Sequence, residues 1–159
     1  EQGEKLLTED HQTYVIDDAE LAKVMGGFEN RWKDPKGDPT AVYIGCPHNT
    51  YPEILYWAQR INAELKAKKQ EKVAIPVYMG CSKVVRDRLL DEHPELLRDV
   101  IRGGVDYINI CLVAVQGLKG MSAIDRGVTN SGKARFYSTS LLYGDDDLLS
   151  IAMTGKLPA

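Results

Sequence analysis

The sequence has no apolar run long enough to cross a bilayer. Its longest, 110–115 (ICLVAV), falls far short of the roughly 20 residues that a spanning helix needs. It has no excess of one charge: 20 Lys and Arg stand against 23 Asp and Glu, a net charge of -3. That balance leaves no electrostatic footprint for nucleic acid or an anionic membrane, and neither is expected as a partner. There is no CxxC pair. The three cysteines, Cys46, Cys81 and Cys111, are odd in number and far apart, which argues against a secreted disulfide framework and a paired-cysteine zinc site. A reducing, cytoplasmic setting is expected. GxSxG, HExxH and the complete P-loop motif GxxxxGK[ST] are absent too, which removes nucleophile-elbow hydrolases, HExxH zinc proteases and P-loop nucleotide binders. The first residues, EQGEKLLTED, are polar and acidic and carry no signal-peptide pattern. The chain begins without Met and is read as a processed, trimmed or excised piece.

What remains is ordinary globular material. An apolar fraction of 43% in 159 residues is enough for one core, in one domain or a detached part of a larger protein. No internal repeat is evident. Residues 1–40 read as a polar leader. Within it, Asp17 and Glu20 form a capping pair that opens a short helix through about Met25, stopped by Gly26 and Gly27. The stretch 30–40 (NRWKDPKGDPT) is a Pro/Gly loop. The domain proper spans 41–159.

That domain alternates strands and helices. Strands are expected at 41–45 (AVYIG), 73–79 (VAIPVYM) and 105–110 (VDYINI). Pro76 removes a ladder donor, which predicts an edge position or a bulge for the second strand. Thr50 with Glu53 is a capping box, with Pro52 in the first turn. The helix it opens carries Ile54, Leu55, Ala58, Ile61 and Leu65 at helical spacing. The basic stretch 66–72 is its solvated end, favoured by the helix dipole. Ser82 caps a helix expected to face Val84, Val85, Leu89 and Leu90 inward. His93-Pro94 opens another, ended by Gly103 and Gly104. Residues 112–128 form a long connection containing Gly117, Gly120 and Gly127. A short helix is expected after 129–133 (TNSGK), running through Leu142. A last helix spans 148–153, with Asp145–Asp147 as its N-terminal charge and Gly155 as its stop.

Helices between strands imply crossover connections and a parallel sheet. All strands of such a sheet point one way, so Cys46, Cys81 and Cys111 are expected at one edge, where open α/β sheets bind ligands. Two readings stand open for them: buried thiols acting as small hydrophobes, or ligands to a metal or cluster. Cys46 and His48 precede a helix N-terminus, where a thiolate is favoured. His48 can ligate, move a proton or bind a carboxylate, or it can simply sit half buried in a helix-opening turn. Asn130 and Ser131 supply polar groups and a cap, and Gly132 allows close approach. Lys133 is a cation at a helix start, where an anionic ligand would offset the unfavourable dipole; an ordinary cap with a solvated lysine is the alternative. His11 reads as inert and His93 as a turn residue.

Gly45-Cys46-Pro47-His48, Cys111 with the apolar run after it, Thr129-Asn130-Ser131-Gly132-Lys133, Tyr137 and Thr154-Gly155-Lys156 occur in an order that resembles a known family. From Ala41 to Lys156 the chain resembles the C-terminal part of the large subunit of aconitase X, a hydro-lyase of the aconitase superfamily. The resemblance implies a three-layer α/β sandwich around a small, mainly parallel sheet, like an aconitase α/β subdomain. It implies dehydration of a small hydroxylated acid, such as cis-3-hydroxyproline or phosphomevalonate. It implies an iron–sulfur cluster held by Cys46 and Cys111, and His48 and Ser131 as catalytic groups. Asn130, Ser131 and Lys133 would hold substrate carboxylate or phosphate. Partners implied are the N-terminal remainder of the large subunit and a small swivelling domain or subunit, without which the chain is expected to be inactive. Many relatives carry Thr or Ser in place of Cys81, which makes it a weaker third ligand. The stretch between Tyr137 and Gly144 is short for the family, which implies loss of an edge strand. A non-catalytic anion-binding module and a structural domain with buried thiols are the competing readings.

Overall fold

In the computed structural model, which describes residues 3–116 and 126–158, five parallel strands form one sheet in the order β3-β2-β1-β4-β5. They are β1 (Ala41–Asn49), β2 (Val77–Cys81), β3 (Val105–Ile108), β4 (Gly127–Thr129) and β5 (Leu141–Leu142). Seven α-helices accompany them: α1 (Asp18–Gly26), α2 (Tyr51–Lys68), α3 (Lys83–Glu92), α4 (Pro94–Arg102), α5 (Leu112–Gln116), α6 (Gly132–Tyr137) and α7 (Asp145–Thr154). Gly117 and Gly120 of the long connection lie outside the described residues.

The sheet is buried on both faces, as an all-parallel sheet must be. Side chains alternate across it with period two. Val42 and Ile44 of β1 and Val77 and Met79 of β2 enter the main core with Ile54, Trp57 and Ile61 of α2, Val100 of α4 and Ile151 of α7. Tyr43 and Ala41 face the other way and meet Leu112 of α5 in a smaller core flanked by Tyr78 and Ile108. The Tyr43 and Tyr78 rings stack there, with centroids 5.4 Å apart.

Helix starts follow the local chemistry of the sequence. The Asp17 carboxylate accepts from the Glu20 N–H at 2.9 Å. The Glu53 carboxylate accepts from both the N–H and the hydroxyl of Thr50, each at 2.7 Å. The Ser82 hydroxyl accepts from the Val85 N–H at 3.3 Å.

Several boundaries differ from expectation. Pro76 lies just before β2, and β2 is an interior strand between β1 and β3. The proline's missing N–H therefore falls outside the ladder, while its carbonyl accepts from the Val42 N–H at 2.9 Å. In α3 only Leu89 is buried and Val85 partly so, whereas Val84 and Leu90 are 78% and 49% exposed. So short a helix presents one narrow i, i+4 stripe to the core. The helix expected through Leu142 stops at Tyr137, because Ser138 is extended (φ -134°, ψ -176°) and the chain then pairs with β4. The edge strand is therefore present, as the two-residue β5.

Two features end the leader. Trp32 is buried in the main core. Arg135 of α6, fully buried, donates to the carbonyls of Glu29 and Ser138, and its guanidinium lies over the Phe28 ring at 4.9 Å. Among the described residues no helix is long and apolar enough to cross a membrane.

The strand order reverses direction between β1 and β4: the chain moves outward from β1 to β2 and β3, then returns to lay β4 and β5 on β1's other side. The carboxyl ends of strands at such a reversal leave a crevice.

Candidate functional site

The end of β1 is built around an irregularity. After Ile44 the register with β2 slips, so that Asn49 pairs with Cys81. Gly45 takes φ 95°, a conformation that strains any residue with a Cβ. A Cβ there would also come within 2.1 Å of the Asn49 side-chain nitrogen and 2.6 Å of the Gly80 carbonyl. The buried Asn49 amide fills that space and donates to the carbonyls of Gly80 at 2.9 Å and Ile44 at 3.3 Å. Held this way, the bulge turns Pro47 and His48 outward while Cys46 stays buried; the Cys46–Pro47 peptide is cis. The His48 Nε2–H donates to the Ile110 carbonyl at 3.2 Å, which leaves Nδ1 as the free acceptor.

The end of β4 supplies the facing wall. The Ser131 hydroxyl accepts from the Ala134 N–H at 3.0 Å, capping α6, and donates to the Cys46 carbonyl. The Asn130 amide donates to Asp145 at 2.9 Å, tying the wall to the start of α7. Lys133 is exposed in the first turn of α6 and pairs with no carboxylate among the described residues.

Two adjoining cavities result. One, of about 520 Å³, is walled by residues 45–50, Glu53 and residues 130–133. The other, of about 250 Å³, is walled by residues 45–48, residues 109–112 and Lys133. Cys46, His48 and Lys133 belong to both, and Cys111 belongs to the smaller.

The structure thus brings together Cys46, His48, Asn130, Ser131 and Lys133, with Cys111 across the shared wall. It does not bring Cys81, which is 1% exposed within the main core and lines neither cavity. The alternation that puts Val77 and Met79 into that core carries Cys81 there too. Burial pushes the Cys81 thiol above its ordinary range, with Arg86 opposing. Burial also raises the Cys46 thiol, and charge on Cys111 adds to the rise; Lys133 and the Ser131 hydroxyl oppose it. The Thr50 hydroxyl and N–H hold the Glu53 carboxyl below its usual range, so the larger cavity carries an anion on its rim as well as a cation.

Cys46 and Cys111 suit soft metal by donor type and by their shared cavity. Two thiols are half of what a cysteine-bound cluster uses, and no group of three or more His, Cys, Asp or Glu able to hold a metal occurs among the described residues. Further ligands would have to come from elsewhere. Asn49 and the Ile110 carbonyl, which position His48, carry no sequence signal, because a buried amide and a backbone oxygen look like loop material until the sheet is assembled.

No family model matches the chain. The phosphomevalonate dehydratase large subunit of Thermococcus kodakarensis is 30% identical over 137 residues, which are 84% of this chain and 31% of that protein. The crystal structure of Thermococcus kodakaraensis aconitase X in its holo-form covers 94% of this chain at a TM-score of 0.66 and 24% identity, and this chain covers 36% of it. The second likeness speaks for the fold. The chain spans about a third of the length of either relative. In sequence and in fold, over that third, this chain resembles the aconitase X large subunit.

Proposed function

We propose that this chain forms one wall of the active site in an aconitase X-type dehydratase that removes water from a small hydroxylated carboxylic acid. The carrying observation is the convergence of Cys46, His48 and Lys133 on two adjoining cavities where the strand order reverses. Cys46 and Cys111 would hold an iron–sulfur centre, with the other ligands from outside the chain. Bound there, that centre supplies Lewis acidity toward the leaving hydroxyl.

The chain's own residues do the rest. Lys133, unpaired among the described residues, binds the substrate's carboxylate or phosphate. Glu53 on the opposite rim repels a misplaced anion and accepts from a substrate hydroxyl. His48, anchored through Nε2, presents Nδ1 to take or return a proton at the cavity mouth. Ser131 and Asn130 spend their polar groups on Cys46 and Asp145, and so fix the wall on which Lys133 stands. Both cavities are open, and the remainder of the large subunit and a small swivelling partner would close them.

The test uses the complete large subunit with its small partner, purified anaerobically. Iron content, the visible absorption band and dehydration of phosphomevalonate, cis-3-hydroxyproline and other hydroxy acids are measured. Cys46→Ser and Cys111→Ser should each lose iron and colour, and Lys133→Met should raise KM about tenfold or more, the loss of one charge-assisted contact. Full iron in both serine variants sinks the ligand assignment. Absence of turnover on every acid, with iron in place, favours a non-catalytic anion-binding module.

A further inference from the structure

Residues 3–27 carry a 3-10 turn and one helix, and all of them but the half-buried Glu20 are exposed. Neither the 3-10 turn Gly3–Leu6 nor α1 contains a buried residue. Among the described residues, the side-chain hydrogen bonds of this segment run within it: His11 to the Thr8 carbonyl, the Tyr14 hydroxyl to Glu20, Lys23 to Glu20. From Phe28 onward the chain engages the domain, through Arg135 and Trp32.

The segment nevertheless carries an apolar surface. Leu6 is 82% exposed and Ile16 76%. On α1, Leu21, Val24 and Met25 follow one another at i, i+3 and i+4 and are 55%, 50% and 40% exposed. That spacing puts them on one helix face. Scattered apolar residues need no partner, whereas an aligned stripe on one helix face marks a contact surface.

We infer that this stripe is the docking surface for the rest of the large subunit. The inference rests on the family reading above, and not on the proposed chemistry. The solved aconitase X covers 94% of this chain, so the part left uncovered is too short to be the whole of residues 3–27. Most of the leader therefore has a counterpart in a protein of which this chain covers only 36%, and the length outside the match is large enough to supply a covering surface. Charge argues against a membrane as the occupant. Residues 1–27 hold seven carboxylates against two lysines, which an anionic lipid surface repels.

The experiment is hydrogen exchange, read by mass spectrometry on the assembled large subunit containing this sequence. Leader amides over 14–25 should be protected at every protein concentration. Leu21→Gln with Val24→Gln should speed their exchange by about tenfold or more, equal to about 1.4 kcal/mol of lost docking. Free-peptide rates in the wild-type subunit would overturn the inference. So would protection that vanishes on dilution, which assigns the stripe to a second copy, or protection that appears only with phosphatidylserine vesicles. Exchange is read without any turnover, so a failed dehydration assay leaves this result standing and a failed exchange result leaves the assay standing.

Discussion

The Ser131 hydroxyl donates to the Cys46 backbone carbonyl while accepting from the Ala134 N–H. One side chain thus caps α6 and pins the end of β4 to the bulge of β1. Its proton is committed to the backbone, which makes Ser131 the fastening between the two walls of the crevice. Ser131→Ala should lower stability by about 1–2 kcal/mol, from the lost cap and an orphaned carbonyl. Ser131→Thr, which keeps the oxygen, should restore most of that. Urea midpoints of the three proteins check this. In the assembled enzyme, turnover abolished by Ser131→Ala with an unchanged midpoint would instead mark the hydroxyl as a reacting group.

Gly45 and Asn49 should fail together. Gly45→Ala strains φ 95° and drives a Cβ to 2.1 Å from the Asn49 nitrogen. The expected cost is about 3 kcal/mol or more. Asn49→Ala leaves the Ile44 and Gly80 carbonyls without their donor, at about 2 kcal/mol or more. The double variant should cost clearly less than the two together, because the atom that the new Cβ strikes is gone. Denaturant unfolding of the cycle measures the coupling; simple additivity would show that the clash is relieved elsewhere.

Why the helices were legible and the crevice only partly so follows from range. Asp17, Thr50 with Glu53, and Ser82 act within one turn, and each begins its helix as the residues dictate. The parallel sheet was legible too, because alternation of strand and helix is a property of the whole chain. Cys46, Cys81 and Cys111 looked equivalent as neighbours of strand ends, yet three different causes separate them. The Gly45 bulge keeps Cys46 at the cavity, period-two alternation turns Cys81 into the core, and Cys111 lies three residues beyond β3 and is exposed. β4 and β5 were not foreseen, since three and two residues are too few to show a period. The edges of β4 are set by pairing with β1, a contact across more than eighty residues, and those of β5 by pairing with β4.

The chain should lose stability in alkali through Cys81 and Tyr107. Burial raises the Cys81 thiol above its ordinary 9.0. Burial also raises the Tyr107 phenol above its ordinary 10.0, with charge on Cys81 adding to the rise. Both are acids that keep their protons longer in the folded chain than in the unfolded one. Their contribution is therefore complete below the unfolded values and is lost as pH climbs through and beyond them. Urea midpoints should be flat from pH 6 to about 8.5 and fall above that. Tyr107→Phe isolates one group. The Tyr107 hydroxyl is buried without a hydrogen-bond partner among the described residues, so its removal should leave stability at pH 7 unchanged or raised by about 1 kcal/mol. Above pH 10 the variant should gain further on the wild type, because phenylalanine has no proton to lose on unfolding. Parallel midpoint curves for the two proteins across that range would mean that Tyr107 titrates alike in both states.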